Sequence, residues 1–177
     1  MNIINRKEGA VMKQIEAVQI KENLIKLISE DWMLVSAGDS GKWNTMTASW
    51  GGMGFIWNKP VACAVIRPQR YTLEFVEKKD VYSLCFFDES YRKMLSVAGS
   101  KSGRDMDKMN GLGLTPVFEN GTVWFEEAKL VLLCRKKYAD DLRAENFIDK
   151  SIVKDVYGKN DFHRFFLGVI EKAYIRE

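Results

Sequence analysis

The run from Asn44 to Thr72, NTMTASWGGMGFIWNKPVACAVIRPQRYT, carries the side chains best suited to grip a molecule that is charged at one end and flat at the other. Arg67 and Arg70 bracket Pro68 and stand just before Tyr71 and Thr72, where the pattern predicts a helix start. Guanidinium groups, neighbouring hydroxyls and the free N–H groups of a first helical turn make an anion site, and a phosphate could use all of them. Arginines at a strand end can also be plain surface residues, and it is Pro68, Tyr71, Thr72 and the following helix that turn the segment toward phosphate. Upstream, Asn44, Thr45, Thr47 and Ser49 form a polar strand end that leads to the flat ring of Trp50 and the bare backbone of Gly51 and Gly52. In an extended chain Thr45, Thr47 and Ser49 share one face, while Asn44, Met46, Ala48 and Trp50 share the other. Two readings fit: a solvent-facing strand whose threonines serve β propensity, or a row of hydroxyl and backbone groups set against the edge of a heteroaromatic ring.

Other chemistries lack their residues. Cys63, Cys85 and Cys134 are widely spaced in apolar runs, with no CxxC pair and no adjacent histidine, so they read as small buried hydrophobes in a reducing compartment. With His163 the only histidine and no close cysteine spacing, no metal site is expected. GxGxxG, GxxxxGK[ST] and GxSxG are all absent, and Gly111-Leu112-Gly113 is a plain turn. His163, beside Phe162 and near Phe165, reads first as a satisfied structural histidine and second as a site residue.

The elements that must position these residues follow from periodicity. Leu24, Ile25, Leu27 and Ile28 give a short helical face. Trp32 to Ala37, the turn formers Gly38 to Gly41, and Lys42 to Trp50 read as a hairpin whose return strand is hydroxyl-rich. Val61 to Ile66 is apolar throughout and bounded by Pro60 and Pro68, which predicts a strand buried on both faces. Thr72 to Lys79 reads as a helix capped by Thr72, and Val81 to Phe87 as a core strand. Ser90 to Ala98 and Gly103 to Met109 read as short helices separated by Gly99-Ser100-Lys101-Ser102. Val117 to Phe118, Thr122 to Phe125 about Asn120-Gly121, and Ala128 to Tyr138 form a meander pattern, and Asp140 to Val156 a loop with helical turns. In His163 to Arg176, a long strand, Phe165, Leu167 and Val169 face one way and Phe166 and Ile170 the other. About six or seven strands with short helices at the corners suggest a closed or partly closed antiparallel barrel.

The 177 residues suit a single domain spanning 1–177, with no repeat or linker. A net charge of +3, spread along the chain, gives no reason to expect a nucleic-acid or membrane partner. The segment MNIINRKEGAVMK has no apolar core of leader-peptide length and no run approaches a membrane span, so a cytoplasmic location is expected.

NTMTASWGGMGFIWNKPVACAVIRPQRYT, then VYSLCFF, AGSKSGRDMDK and a final HRFFLGVIEKAYIRE, resembles the flavin reductase-like proteins with an FMN-binding split barrel, close to the flavoredoxin branch, from about Trp32 onward. The resemblance implies a mainly β fold, a six-stranded antiparallel split barrel with peripheral helices, in a homodimer with FMN in a groove near the interface. By position, Asn44, Thr45, Met46, Thr47, Ala48, Ser49 and Trp50 would line the isoalloxazine. Arg67, Arg70, Tyr71 and Thr72 would hold the phosphate, with Ser100, Lys101 and Ser102 completing the pocket, while His163 would lie near the cofactor, from its own or the other subunit. The implied activity is an FMN-dependent oxidoreductase that takes electrons from NADH or NADPH and passes them to a flavin or a protein acceptor. The chain carries no recognisable nicotinamide-binding motif, so a flavoredoxin-type carrier reduced by a partner protein and a non-catalytic module binding flavin or another phosphorylated ring stand beside it.

Overall fold

The computed structural model describes residues 3–4 and 11–177. The leader-peptide reading of the amino-terminal segment lies largely outside them. The strands are β1 (Ile3–Ile4), β2 (Met12–Ile15), β3 (Met33–Gly38), β4 (Trp43–Ala48), β5 (Gly51–Ile56), β6 (Lys59–Ile66), β7 (Val81–Phe86), β8 (Pro116–Glu119), β9 (Thr122–Phe125), β10 (Leu130–Asp141) and β11 (Arg164–Arg176). The helices are α1 (Leu24–Lys26), which runs on into a wider turn over Leu27–Asp31, then α2 (Tyr71–Lys78), α3 (Arg92–Ser100), α4 (Lys108–Gly111) and α5 (Lys150–Val156).

A nine-stranded antiparallel sheet holds all but β8 and β9. Its working part is the path β6, β11, β10, β7, β3, β4, which curls until β4 and β6 share a core. No ladder joins β4 to β6 among the described residues, and this gap is the split in a mainly β split barrel. Strand β11 is long enough to pair with β6 through Arg164 to Val169 and with β2 through Ala173 to Arg176. Interruptions of register in β10, at Leu133/Cys134 and Lys136/Tyr138, are the bulges by which such a sheet bends.

Two cores explain the continuous apolar runs. Met33, Val35, Tyr82, Leu84, Phe86, Leu130 and Leu132 point into the barrel with Phe166 and Ile170. Leu34, Val81, Cys85, Val131 and Leu133 point to the opposite face, where Leu95 and Ala98 of α3 and Val123, Trp124 and Phe125 of β9 cover them. A strand covered on both faces has no polar side to show, so alternation disappears in β3, β7 and β10.

Several expectations are corrected. The strands outnumber those expected because β1 and β2 are strands too, and so is β5. It pairs with β6 through a turn at Trp57 and Asn58, both near φ +55°, as a two-residue hairpin turn requires. Its glycines and largely exposed side chains give it no apolar pattern. Strand β6 is only partly buried, because Cys63 and Val65 stay half-exposed. The hairpin β8–β9 forms about Asn120-Gly121, yet β10 pairs with β7 and β11 instead of β9, so there is no meander. Ile25 is exposed, Gly99 and Ser100 belong to α3, and of Gly103 to Met109 only Lys108 and Met109 are helical. Helix α2 begins at Tyr71 with Arg70 at its cap position, so Thr72 is a helical residue and not the cap.

Candidate functional site

A groove follows the gap between β4 and β6. At one end lies a cavity of about 140 Å³ lined by Asn44, Met46, Gln69, Arg70, Tyr71, Thr72, Ser100, Lys101, Ser102, Gly103 and Lys108. At the other lies a more open hollow of about 220 Å³ lined by Met46, Thr47, Ala48, Ser49, Trp50, Val65, Arg67, Arg70 and His163. Met46 and Arg70 line both, which joins them.

The polar end is built by a turn. Pro68 fixes the backbone after β6, the Arg70 N–H donates to Arg67 O at 3.0 Å, and the chain passes directly into α2. Arg70 gives its helix no side-chain cap, which leaves the N–H groups of the first turn without one. Instead its Nη1 donates to Gly99 O at 2.7 Å and the guanidinium hangs over the cavity. Burial lowers its pKa, and among the described residues no carboxylate is recorded as its partner. Asn44 Nδ2 donates to Thr72 Oγ1 at 2.8 Å, tying β4 to α2 across the cavity floor.

Arg67 separates from Arg70. Its guanidinium pairs with Asp161 at 2.5 Å and lies over the Tyr157 ring at 5.4 Å, so its charge is answered by the segment between β10 and β11. It lines the open hollow, beside His163. His163 is buried, its Nδ1 is 2.8 Å from the Tyr157 hydroxyl, and its ring lies 4.9 Å from that of Trp50. Burial, then the nearby Arg67, pushes its pKa down to about 4, so it is neutral at physiological pH and supports Trp50 at the groove's end.

The hydroxyls of β4 turn inward. Thr45 Oγ1 is 2.7 Å from Ser36 Oγ, and Thr47 Oγ1 donates to Leu95 O at 2.5 Å. Neither threonine presents a row of free hydroxyls. Thr45 is the one expected site residue that lines neither hollow, while Asn44, Met46, Ala48 and Trp50 do line the groove. What β4 offers is its outer edge, which has no partner strand among the described residues and so, apart from the Thr45 carbonyl that Lys108 Nζ takes, leaves backbone groups facing the gap. Gly51, expected to admit a ligand, is glycine for an internal reason: at φ +155° an added Cβ would stand 2.5 Å from Cys63 O. Gln69, Val65, Gly103 and Lys108 are lining residues that sequence reasoning missed. The thiols of Cys63 and Cys85 are pushed up by burial to about 11 and about 12, which suits packing better than nucleophilic chemistry.

The barrel is thus left open along one seam, with Arg70, Tyr71 and Thr72 at one end of it and Trp50 and His163 at the other. Residues 26–177 match the model of the flavin reductase like domain, and the chain belongs to that family. No curated protein matches it significantly. Among solved structures it is similar to flavoredoxin from Methanosarcina acetivorans, at 25% identity and TM-score 0.65, covering 83% of this chain and 69% of that one. The FMN-binding protein of Thermus thermophilus with bound p-hydroxybenzaldehyde aligns at 18% identity and TM-score 0.65 over 92% of this chain and 83% of that one. An NADH:FAD oxidoreductase from Streptomyces globisporus aligns at 14% identity and TM-score 0.63 over 83% and 78%. These two show the shared fold.

Proposed function

We propose that the groove holds FMN, with its phosphate in the Arg70 cavity and its ring along the open edge of β4 toward Trp50, and that the protein is an oxidoreductase. NADH or NADPH is the proposed donor, and a flavin or a partner protein the acceptor. The observation that carries this reading is the continuity of the two hollows through Met46 and Arg70, since only an elongated ligand with one anionic end uses both. Bound flavin supplies the electron chemistry. The residues position it: Arg70 and the first turn of α2 take the phosphate, and the unpaired edge of β4 supplies hydrogen bonds to a polar ring edge. Neutral His163 and Trp50 close one end without needing to exchange protons. Purified protein loaded with FMN is expected to show a perturbed flavin spectrum that bleaches anaerobically on addition of one nicotinamide. Retention of FMN with no reduction by either nucleotide would replace the reductase by a flavoredoxin-type carrier, a reading that the likeness to the Methanosarcina flavoredoxin supports. Failure to retain flavin would end both.

The reading extends to a homodimer. The tip of the β5–β6 hairpin carries Phe55 at 65%, Trp57 at 51% and Ile56 at 40% exposure, and Trp50, at the other end of β5, is 47% exposed, so apolar side chains are presented along this hairpin. Light scattering after size exclusion is expected to give twice the chain mass for the parent and the chain mass for Trp57→Lys. A parent that elutes as a monomer at all concentrations removes this interface. Three cysteines without disulfide partners agree with a cytoplasmic setting.

A further inference from the structure

Lys108 opens α4 and is 4% exposed. Its Nζ donates to Thr45 O at 2.9 Å and to Ala98 O at 2.7 Å, bridging β4 and α3. Both acceptors are neutral, and among the described residues no carboxylate is recorded against it. An ammonium has three N–H groups, and a buried cation is costly unless it is paired. Among the described residues the third N–H has no protein acceptor, and Lys108 lines the same cavity as Arg70.

We propose that Lys108 is a further phosphate ligand at the floor of this cavity, and that its protonation is linked to the binding of phosphorylated flavin. An entering dianion takes the third N–H and holds the ammonium in its charged form. This rests on the FMN reading and adds to it a basis for preferring the phosphorylated ligand.

The surroundings support the linkage. Burial, then the neighbouring Arg70, lowers the Lys108 pKa to about 8. The charged and titratable groups around it are Arg70 and Tyr71 at the start of α2, Lys101, Arg104 and Asp107 between α3 and the start of α4, and Lys42 ahead of β4; the β4 and α3 groups it touches are backbone carbonyls. The Asp107 carboxylate accepts from the Met109 and Asn110 N–H groups and from Asn110 Nδ2, and a guanidinium such as Arg70 does not deprotonate in a protein. A phosphate monoester has its second pKa at about 6, so in mildly alkaline solution the ligand is already a dianion and the proton must come to the protein. The sign follows: the free protein loses this proton on passing about 8 while the complex keeps it, so FMN affinity is flat from the phosphate pKa of about 6 up to that pH and falls above it. The limiting slope is about tenfold per pH unit.

The test is calorimetric titration of ligand-free protein at mildly alkaline pH in two buffers of different ionisation enthalpy, with FMN and with riboflavin. Net proton uptake with FMN and none with riboflavin is expected, and Lys108→Met should abolish the uptake. Equal uptake for the two ligands, or FMN affinity that follows the riboflavin pH profile, overturns the proposal and leaves the FMN reading standing. If FMN fails to bind even at neutral pH, both fall. Should Lys108→Met not fold, the comparison of the two ligands on the parent protein still decides.

Discussion

Alanine in place of Arg70 is expected to weaken FMN by about 1.5–3 kcal/mol while leaving riboflavin close to its parental affinity. The difference arises because the guanidinium stands over the polar cavity, held by Gly99 O, with no carboxylate among the described residues to answer its charge. A phosphate would be its first anionic partner, and such charge-assisted contacts are about twice as strong as neutral ones. Arg67→Ala serves as the control. That side chain is paired with Asp161, so its loss frees a carboxylate beside the ring end and should disturb both ligands alike. Fluorescence titration with the two flavins reads all four affinities. Equal weakening of FMN and riboflavin in Arg70→Ala would show that the arginine shapes the groove without touching phosphate.

That contrast marks how far the candidate site was legible. The segment containing Arg67 and Arg70 could be found because Pro68 interrupts an apolar run just where hydroxyls and a helix follow. Adjacency along the chain could not show that one guanidinium is claimed by Asp161, a residue far away in sequence that arrives on the return into β11. The β4 strand was found for a reason that the structure reverses. Its threonines drew notice as hydroxyl donors, yet Thr45 and Thr47 bond to Ser36 and to the Leu95 carbonyl. Its value to a ligand lies in an unpaired edge, and edge position belongs to sheet topology. Lys108 was missed because a lysine on a polar segment looks solvated until tertiary packing buries it.

The fold was legible where local chemistry is strong. Asn120-Gly121 and the Gly38 to Gly41 turn set hairpins at the expected places, and β11 showed its two faces through Phe166 and Ile170. It failed where one strand serves two neighbours or shows no face. Strand β5 has three glycines and one aromatic, the exposed Phe55, and β10 has both edges taken, by β7 and β11, which leaves none for β9. In both, long-range pairing decides what local pattern leaves open.

Gly168→Ala tests that long-range pairing directly and is expected to cost about 1–3 kcal/mol of stability. Gly168 lies in β11, opposite Ala62 of β6 on one side and Lys136 of β10 on the other. An added Cβ would stand 2.8 Å from the Tyr82 hydroxyl and 2.9 Å from Cys134 Cβ. Neither can yield easily, because both side chains are fully buried and the hydroxyl donates to Ala62 O at 2.8 Å. Tyr82→Phe alone should cost about 0.5–1.5 kcal/mol by removing that donor. Combined with Gly168→Ala it should cost less than the sum, because the atom that the new methyl strikes has gone. Denaturant midpoints of the four proteins measure the coupling. Saturating FMN should return part of the lost stability, since β6, whose Ala62 receives the Tyr82 hydroxyl, also lines the groove. Strict additivity would place the strain elsewhere and would mean that the bare backbone of Gly168 does not set how closely β11 approaches Tyr82.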